Sequence, residues 1–172
     1  MKIVAMGGSN SSHSINKRLA SYAASFFENA TVEVLDVNDY ALPIYSDVKE
    51  AELGKPEAAQ QFIKKIEEAD VIVLSLAENN GSYNAGFKNL MDWASRINPK
   101  FWGGKPMLLM ATSPGARGGA TVLEWAKQTL PFLGADVKAT FSLPSFQSNF
   151  TDEGITDNSL KIELLNQIKN FK

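Results

Sequence analysis

The sequence predicts one three-layer α/β domain, a five-stranded parallel sheet of strand order 2-1-3-4-5 with helices on both faces, spanning residues 1–172. Two observations predict it. Apolar runs alternate strictly with segments of helical periodicity, five of each, and such alternation gives a parallel sheet covered on both sides by right-handed crossovers. The chain has 172 residues with 44% hydrophobic and 21% charged, enough for one well-buried core.

The first strand is the apolar run at residues 2–6, ending in Gly7-Gly8. A loop dense in hydroxyls and amides follows, Ser9, Asn10, Ser11, Ser12, Ser14 and Asn16, and feeds a helix over 14–28 with apolar positions Ile15, Leu19, Ala23, Phe26 and Phe27. The second strand is read at 32–37, and a long loop over 38–55 leads to a helix over 56–68. The third strand at 71–76 precedes a helix over 84–95, and the fourth at 106–112 precedes a helix over 119–133, in which Pro131 before Gly134 marks a stop or kink. The fifth strand at 137–141 is followed by a loop over 143–157 and a closing helix over 158–171. No repeat, low-complexity tract or linker interrupts this pattern.

Composition removes several chemistries. The chain has no Cys and one His, so thiol chemistry and a Cys- or multi-His zinc site are excluded. A Ser-His-Asp hydrolase would have to use His13, and the G-x-S-x-G elbow is absent. No catalytic side chain and no metal ligand is assigned. Redox chemistry would need a borrowed cofactor. A net charge of −2 with scattered Lys and Arg argues against nucleic acid. No apolar run reaches membrane-spanning length, and the opening residues read as a strand rather than a leader. A cytoplasmic protein is therefore expected.

In a doubly wound sheet of this order, ligands bind at the carboxyl ends of strands 1, 3 and 4. Three loops meet there. The first, Gly8 to Asn16, has the form of an anion cradle, with free amides and a helix N-terminus. Walker A and G-x-G-x-x-G patterns are both missing, which leaves a terminal monophosphate as the ligand; helix capping and a simple turn are the competing reading. The second loop, Ala77-Glu78-Asn79-Asn80-Gly81-Ser82-Tyr83-Asn84, offers amides to the polar edge of a flat ligand, or merely turns. The third is Ser113-Pro114-Gly115-Ala116-Arg117-Gly118-Gly119, whose glycines would let backbone approach such a ligand. Trp93 reads as packing. Glu78 has a positioning role at most. Asp36 reads as a strand-end cap rather than a ribose ligand, Asn89 as a brace for the loop before its own helix, and Arg117 as a nicotinamide-phosphate contact or a solvated side chain.

Taken in order and spacing, these segments resemble the NADPH-dependent FMN reductase family of flavodoxin-like quinone, azo-dye and chromate reductases, over nearly the whole chain. The family's first loop, G-S-x-R-x-x-S-x-N, is matched by Gly8-Ser9-Asn10-Ser11-Ser12-His13-Ser14-Ile15-Asn16. Leu42-Pro43-Ile44-Tyr45 is similar to its L-P-x-Y/F segment, and Phe87-Lys88-Asn89-Leu90-Met91-Asp92-Trp93 to its L-K-N-x-x-D-W helix. Trp102-Gly103-Gly104-Lys105-Pro106 resembles the entry to its fourth strand. Three positions depart. Ser11 stands where the family has a phosphate-contacting Arg, and Ala77 and Asn79 stand for the Pro and Tyr of its T-P-E-Y-N loop. His13 could partly replace the missing Arg or simply face solvent.

The resemblance implies a flavodoxin-like fold and FMN and NAD(P)H as cofactors. It implies FMN contacts at Ser9, Ser11, Ser14, Ile15, Asn16, Glu78, Asn79, Asn80, Ser113, Gly115 and Gly118. The implied reaction passes hydride from nicotinamide through FMN to a small-molecule quinone, flavin, azo or nitro acceptor. A homodimer or homotetramer formed through the helix after strand 3 is also implied. An electron carrier of the same fold, or a flavin-free regulatory module, is the alternative; net charge −2 speaks against the carrier, and the altered loops keep the module open.

Overall fold

The computed structural model describes residues 1–171. In chain order the elements are β1 (Lys2–Gly8), α1 (Ile15–Ala24), β2 (Thr31–Leu35), α2 (Asp47–Leu53), α3 (Glu57–Glu68), β3 (Val71–Leu76), β4 (Glu78–Asn79), β5 (Ser82–Tyr83), α4 (Ala85–Ile97), β6 (Pro106–Thr112), α5 (Ala120–Thr129), β7 (Asp136–Leu143), α6 (Phe146–Asn149), β8 (Phe150–Thr151), β9 (Gly154–Ile155) and α7 (Asn158–Ile168). Single 3-10 turns occupy Val37–Tyr40, Leu130–Leu133 and Lys169–Phe171. The main sheet runs β2-β1-β3-β6-β7 with every pairing parallel, which is the expected order 2-1-3-4-5.

The two faces of the sheet carry separate cores because side chains alternate along each strand. Ile3 and Ala5 of β1, Val73 of β3 and Leu108 of β6 pack beneath α1 and α7 with Leu19, Ala23 and Leu164. Val4, Met6, Leu74 and Leu109 point the other way, against Phe62 and Ile66 of α3, Phe87 and Leu90 of α4, and Val122 of α5. β1 beyond Lys2, all of β3 and β6 beyond Pro106 are buried along both faces, as the continuous apolar runs required. Burying a side chain such as Phe62 or Phe87 contributes about 1.5–3 kcal/mol.

Several boundaries differ from expectation for local reasons. The first helix stops at Ala24, not near residue 28, where the Ser25 hydroxyl donates to the Tyr22 carbonyl (2.7 Å) and competes with the helical ladder. The second strand ends at Leu35. Asp36 then caps the following turn by accepting from the Asn38 amide (2.9 Å), so the capping reading of this residue holds. The helix after strand 4 ends at Thr129, and Pro131 lies in the 3-10 turn that Gly134 closes at φ 90°. The segments read as loops carry structure: α2 within 38–55, the β4–β5 hairpin within 77–83, and α6 with the β8–β9 hairpin within 143–157.

Candidate functional site

The carboxyl ends of β1, β3 and β6 surround a cleft of about 250 Å³. Its walls are the three loops singled out in the sequence. Ser9, Ser11, Ser14, Ile15 and Asn16 come from the first, Glu78 and Asn79 from the second, and Ser113 from the third. His13, Ala77, Thr112 and Pro114 complete these walls, and Gln147 enters from α6. Gln147 was not foreseen, because nothing in residues 143–157 signalled a helix of four residues.

The first loop is held by its own hydroxyls. Ser9 Oγ accepts from the Ser11 amide (3.1 Å), Ser11 Oγ from the His13 amide (3.2 Å), and Ser14 Oγ from the Lys17 amide (3.1 Å) as the N-cap of α1. Each hydroxyl accepts a backbone N–H, so each keeps its own proton to donate. Among the described residues the first two amides of α1, those of Ile15 and Asn16, have no hydrogen-bond partner. The first turn of α1 holds no acidic residue. The result is a wall of donors at the positive end of a ten-residue helix. Gly7 permits this geometry, since a Cβ there would lie 2.4 Å from the Lys17 backbone nitrogen.

Asn16 corrects the sequence reading in one respect. Its side chain is 2% exposed. Its Nδ2 donates to the Thr112 carbonyl (3.1 Å), while Oδ1 accepts from the Ser75 hydroxyl (2.7 Å) and the Thr112 amide (3.0 Å). All three bonds tie α1 to β3 and β6, so only the Asn16 backbone is left to face a ligand. Lys17 adds no free charge, because it pairs with Asp36 at 2.6 Å. Burial alone would raise the Asp36 carboxyl, but the Lys17 and Asn38 hydrogen bonds hold it below its ordinary range.

In the second loop Asn80 (φ 51°) and Gly81 (φ 74°) form the tight turn of the β4–β5 hairpin, the two-residue conformation that Asn-Gly favours. Asn80 is thus a turn residue outside the cleft. Asn79 remains in the wall and its Oδ1 accepts from Asn84 Nδ2 (3.0 Å). Asn84 Oδ1 caps α4 by accepting from the Gly86 and Phe87 amides, and also takes the Asn10 amide (3.2 Å), tying the first loop to the second. The Glu78 carboxylate accepts from the Val122 amide of α5 (3.0 Å).

The third loop also departs from expectation. Gly115 and Gly118 do not line the cleft. A Cβ at Gly118 (φ 57°) would lie 2.4 Å from Ser142 Oγ and 2.9 Å from the Leu143 backbone, so the missing side chain is a packing requirement against β7. A Cβ at Gly115 meets nothing closer than Ser113 Oγ at 3.8 Å, so no close approach by the fold demands glycine there. Arg117 is exposed and donates to Thr121 Oγ1 (3.0 Å). Asn89 braces the loop after β2 rather than the loop before α4: it donates to the Leu42 and Pro43 carbonyls and accepts from the Tyr45 amide (2.9 Å). Trp93 is fully buried and donates to the Pro43 carbonyl (2.8 Å).

A larger groove of about 710 Å³ runs along the outer face of α1 past Tyr22 and Phe150. Its cations are already satisfied, Lys17 by Asp36 and Arg18 by Asp152 (2.8 Å), while the buried Tyr22 hydroxyl on its wall has no partner among the described residues.

The model of the NADPH-dependent FMN reductase family matches residues 1–147. A quinone reductase of Escherichia coli strain K12 is 34% identical over 114 residues, which cover 66% of this chain and 58% of the relative. The chain thus spans less than two thirds of that relative's own length. An NAD(P)H-dependent FMN reductase of Pseudomonas aeruginosa is 29% identical over 170 residues, 97% of this chain and 90% of that protein. Among solved structures, a flavoenzyme NAD(P)H:(acceptor) oxidoreductase from Paracoccus denitrificans superposes with a TM-score of 0.77 at 27% identity, covering 99% of this chain and 94% of that one.

Proposed function

Because this chain belongs to the NADPH-dependent FMN reductase family, we propose that its loop-built cleft holds FMN and that the protein is an NAD(P)H-dependent oxidoreductase acting on small quinone, flavin, azo or nitro acceptors. The observation that carries this reading is the donor wall at the start of α1. Three serine hydroxyls with protons to spare and two unpartnered amides suit an oxyanion such as a terminal phosphate.

In this reading Ser9, Ser11, Ser14 and the Ile15 and Asn16 amides hold the phosphate. Asn79 and Ser113, on the opposite walls, face the polar edge of the ring system. FMN, when bound, supplies the two-electron centre that takes a hydride from nicotinamide and returns it to an acceptor. The chain's share is to bind and orient both partners and to exclude water from the cleft. Hydride transfer asks for no general base, and Glu78, the one carboxylate in the cleft wall, is turned to the α5 amide instead. We also assign a cytoplasmic homodimer. Trp125 (54% exposed) and Phe132 (75% exposed) beside Met91 and Tyr83 support an interface at the α4–α5 face, and no helix among the described residues is long and apolar enough to cross a membrane.

The test compares FMN with riboflavin by fluorescence quenching. Two charge-assisted bonds to phosphate contribute on the order of 3–6 kcal/mol, so FMN should bind at least about a hundredfold more tightly. Equal affinities would remove the phosphate site. Steady oxidation of NADH or NADPH by the FMN-loaded protein with a quinone separates an enzyme from an electron carrier, which would show none.

A further inference from the structure

We propose that Glu78 is a positioning residue that sets the width of the cleft, by supplying from the hairpin the N-terminal cap that α5 lacks. The inference rests on the FMN reading above. The cap residue of α5 is Gly119, which has no side chain to accept a hydrogen bond. The third amide of the helix, Val122, instead donates to Glu78 Oε2 at 3.0 Å, from a residue 44 positions away. A carboxylate at that end also meets the positive pole of the helix.

The consequence lies in what Glu78 is attached to. It stands on β4, directly beside Asn79 of the cleft wall and paired with Tyr83 of β5. Tyr83 hydroxyl in turn meets Thr129 Oγ1 at 2.8 Å near the end of α5. From its other side the hairpin is held through Asn79 and Asn84 (3.0 Å) and through Tyr83, which is buried against Phe87 of α4, and Asn84 holds the first loop at Asn10. A two-strand hairpin with an exposed tip at Asn80 and Gly81 has little stability of its own. It is suspended between α5 and the α4 cap. The base of α5 has no room to shift towards the sheet, because even a Cβ added at Gly118 would lie 2.4 Å from Ser142 Oγ of β7, and one at Gly119 would lie 2.9 Å from Ala111 Cβ of β6. Cutting the Glu78 strut therefore loosens β4, and with it the Asn79 wall that faces the ring system, while Tyr83 keeps β5 anchored and the serine loop stays intact.

The geometry separates this role from direct contact with the flavin. Glu78→Ala removes the acceptor. Glu78→Gln keeps an acceptor at the same reach without the charge. Glu78→Asp keeps the charge on a side chain one methylene shorter. Affinities for FMN and riboflavin, and amide hydrogen exchange of the ligand-free protein, are measured for each. The expected result is a loss of about tenfold for both flavins alike in Glu78→Ala and Glu78→Asp, with Glu78→Gln within about threefold of the parent. Exchange at residues 79–83 and at Val122 should accelerate in the Ala and Asp variants only. Unchanged exchange in Glu78→Ala, or equal losses in the Gln and Ala variants, would overturn the strut. A loss confined to FMN would overturn it as well, by tying Glu78 to the phosphate loop and not to the wall that faces the ring system. If the parent protein binds neither flavin, the FMN reading fails, and the exchange measurements still decide whether Glu78 holds the hairpin.

Discussion

Asn16→Ala should be among the most damaging single changes in this protein, although it removes only three heavy atoms' worth of polar side chain. The residue is 2% exposed, and its three hydrogen bonds join α1 to β3 and β6 across the core of the sheet. Truncation leaves the Thr112 amide and carbonyl and the Ser75 hydroxyl facing a gap. Ser75 is fully buried and Thr112 is 1% exposed, so bulk water does not replace the lost partner. An unsatisfied buried group costs about 1–3 kcal/mol; with the hydroxyl free to rotate to another acceptor, the two backbone groups set a loss of about 3–5 kcal/mol. Domains of this size have about 5–15 kcal/mol in total, so the variant should fold but melt early. Urea unfolding followed by circular dichroism is the assay. With m near about 2 kcal/mol/M, the midpoint should fall by about 2 M at unchanged m. FMN affinity should fall too, because the same bonds hold the first loop against β6. A loss under about 1 kcal/mol would show that Asn16 is not the tie between these loops.

Three further outcomes follow from particular contacts. Ser11→Arg should tighten FMN binding by about tenfold to a hundredfold and leave riboflavin unchanged, because a guanidinium at the cleft edge adds charge-assisted bonds to phosphate alone; parallel titrations of the two flavins check it. Gly118→Ala should lower unfolding stability by more than about 2 kcal/mol, since the added Cβ meets Ser142 Oγ at 2.4 Å and the backbone sits at φ 57°, whereas Gly115→Ala should be nearly neutral in the same melt. Glu33 is held below the ordinary carboxyl range, chiefly by its hydrogen bond to Lys65 against the opposing effect of burial, and further by Lys2. That stabilisation is present above the unfolded carboxyl pKa of about 4.3 and is lost as pH falls through the lower folded value, so the stability gap between the parent and Glu33→Gln should hold constant from pH 7 to 5 and close below about pH 4.

The layers of this fold were legible because each depends on a period within one segment. Continuous apolar runs such as 71–76 and 106–112 can only be strands buried on both faces, and their alternation with helices orders the sheet. The hydroxyl-rich loop before α1 was legible for the same local reason: Ser14 caps its own helix three residues on. Short elements were not. The β4–β5 hairpin carries an Asn-Gly signal, but two residues per strand have no hydrophobic period to read, and α2 buries no residue at all.

By itself, the sequence determined the sheet, the three loops at its carboxyl edge, the absence of thiol chemistry, and the family to which the chain belongs. Tertiary structure decided which way each polar side chain of those loops turns. Asn16, Glu78 and Asn84 look interchangeable with Asn79 or Ser113 in a linear reading, yet the first three are consumed by backbone amides 96, 44 and 74 residues distant. Gly118 was read as room for a ligand and proved to be room for β7. The reason is that a buried backbone N–H or C=O must find a partner wherever the fold places it, and the identity of that partner is set by proximity in space, which no periodicity along the chain records.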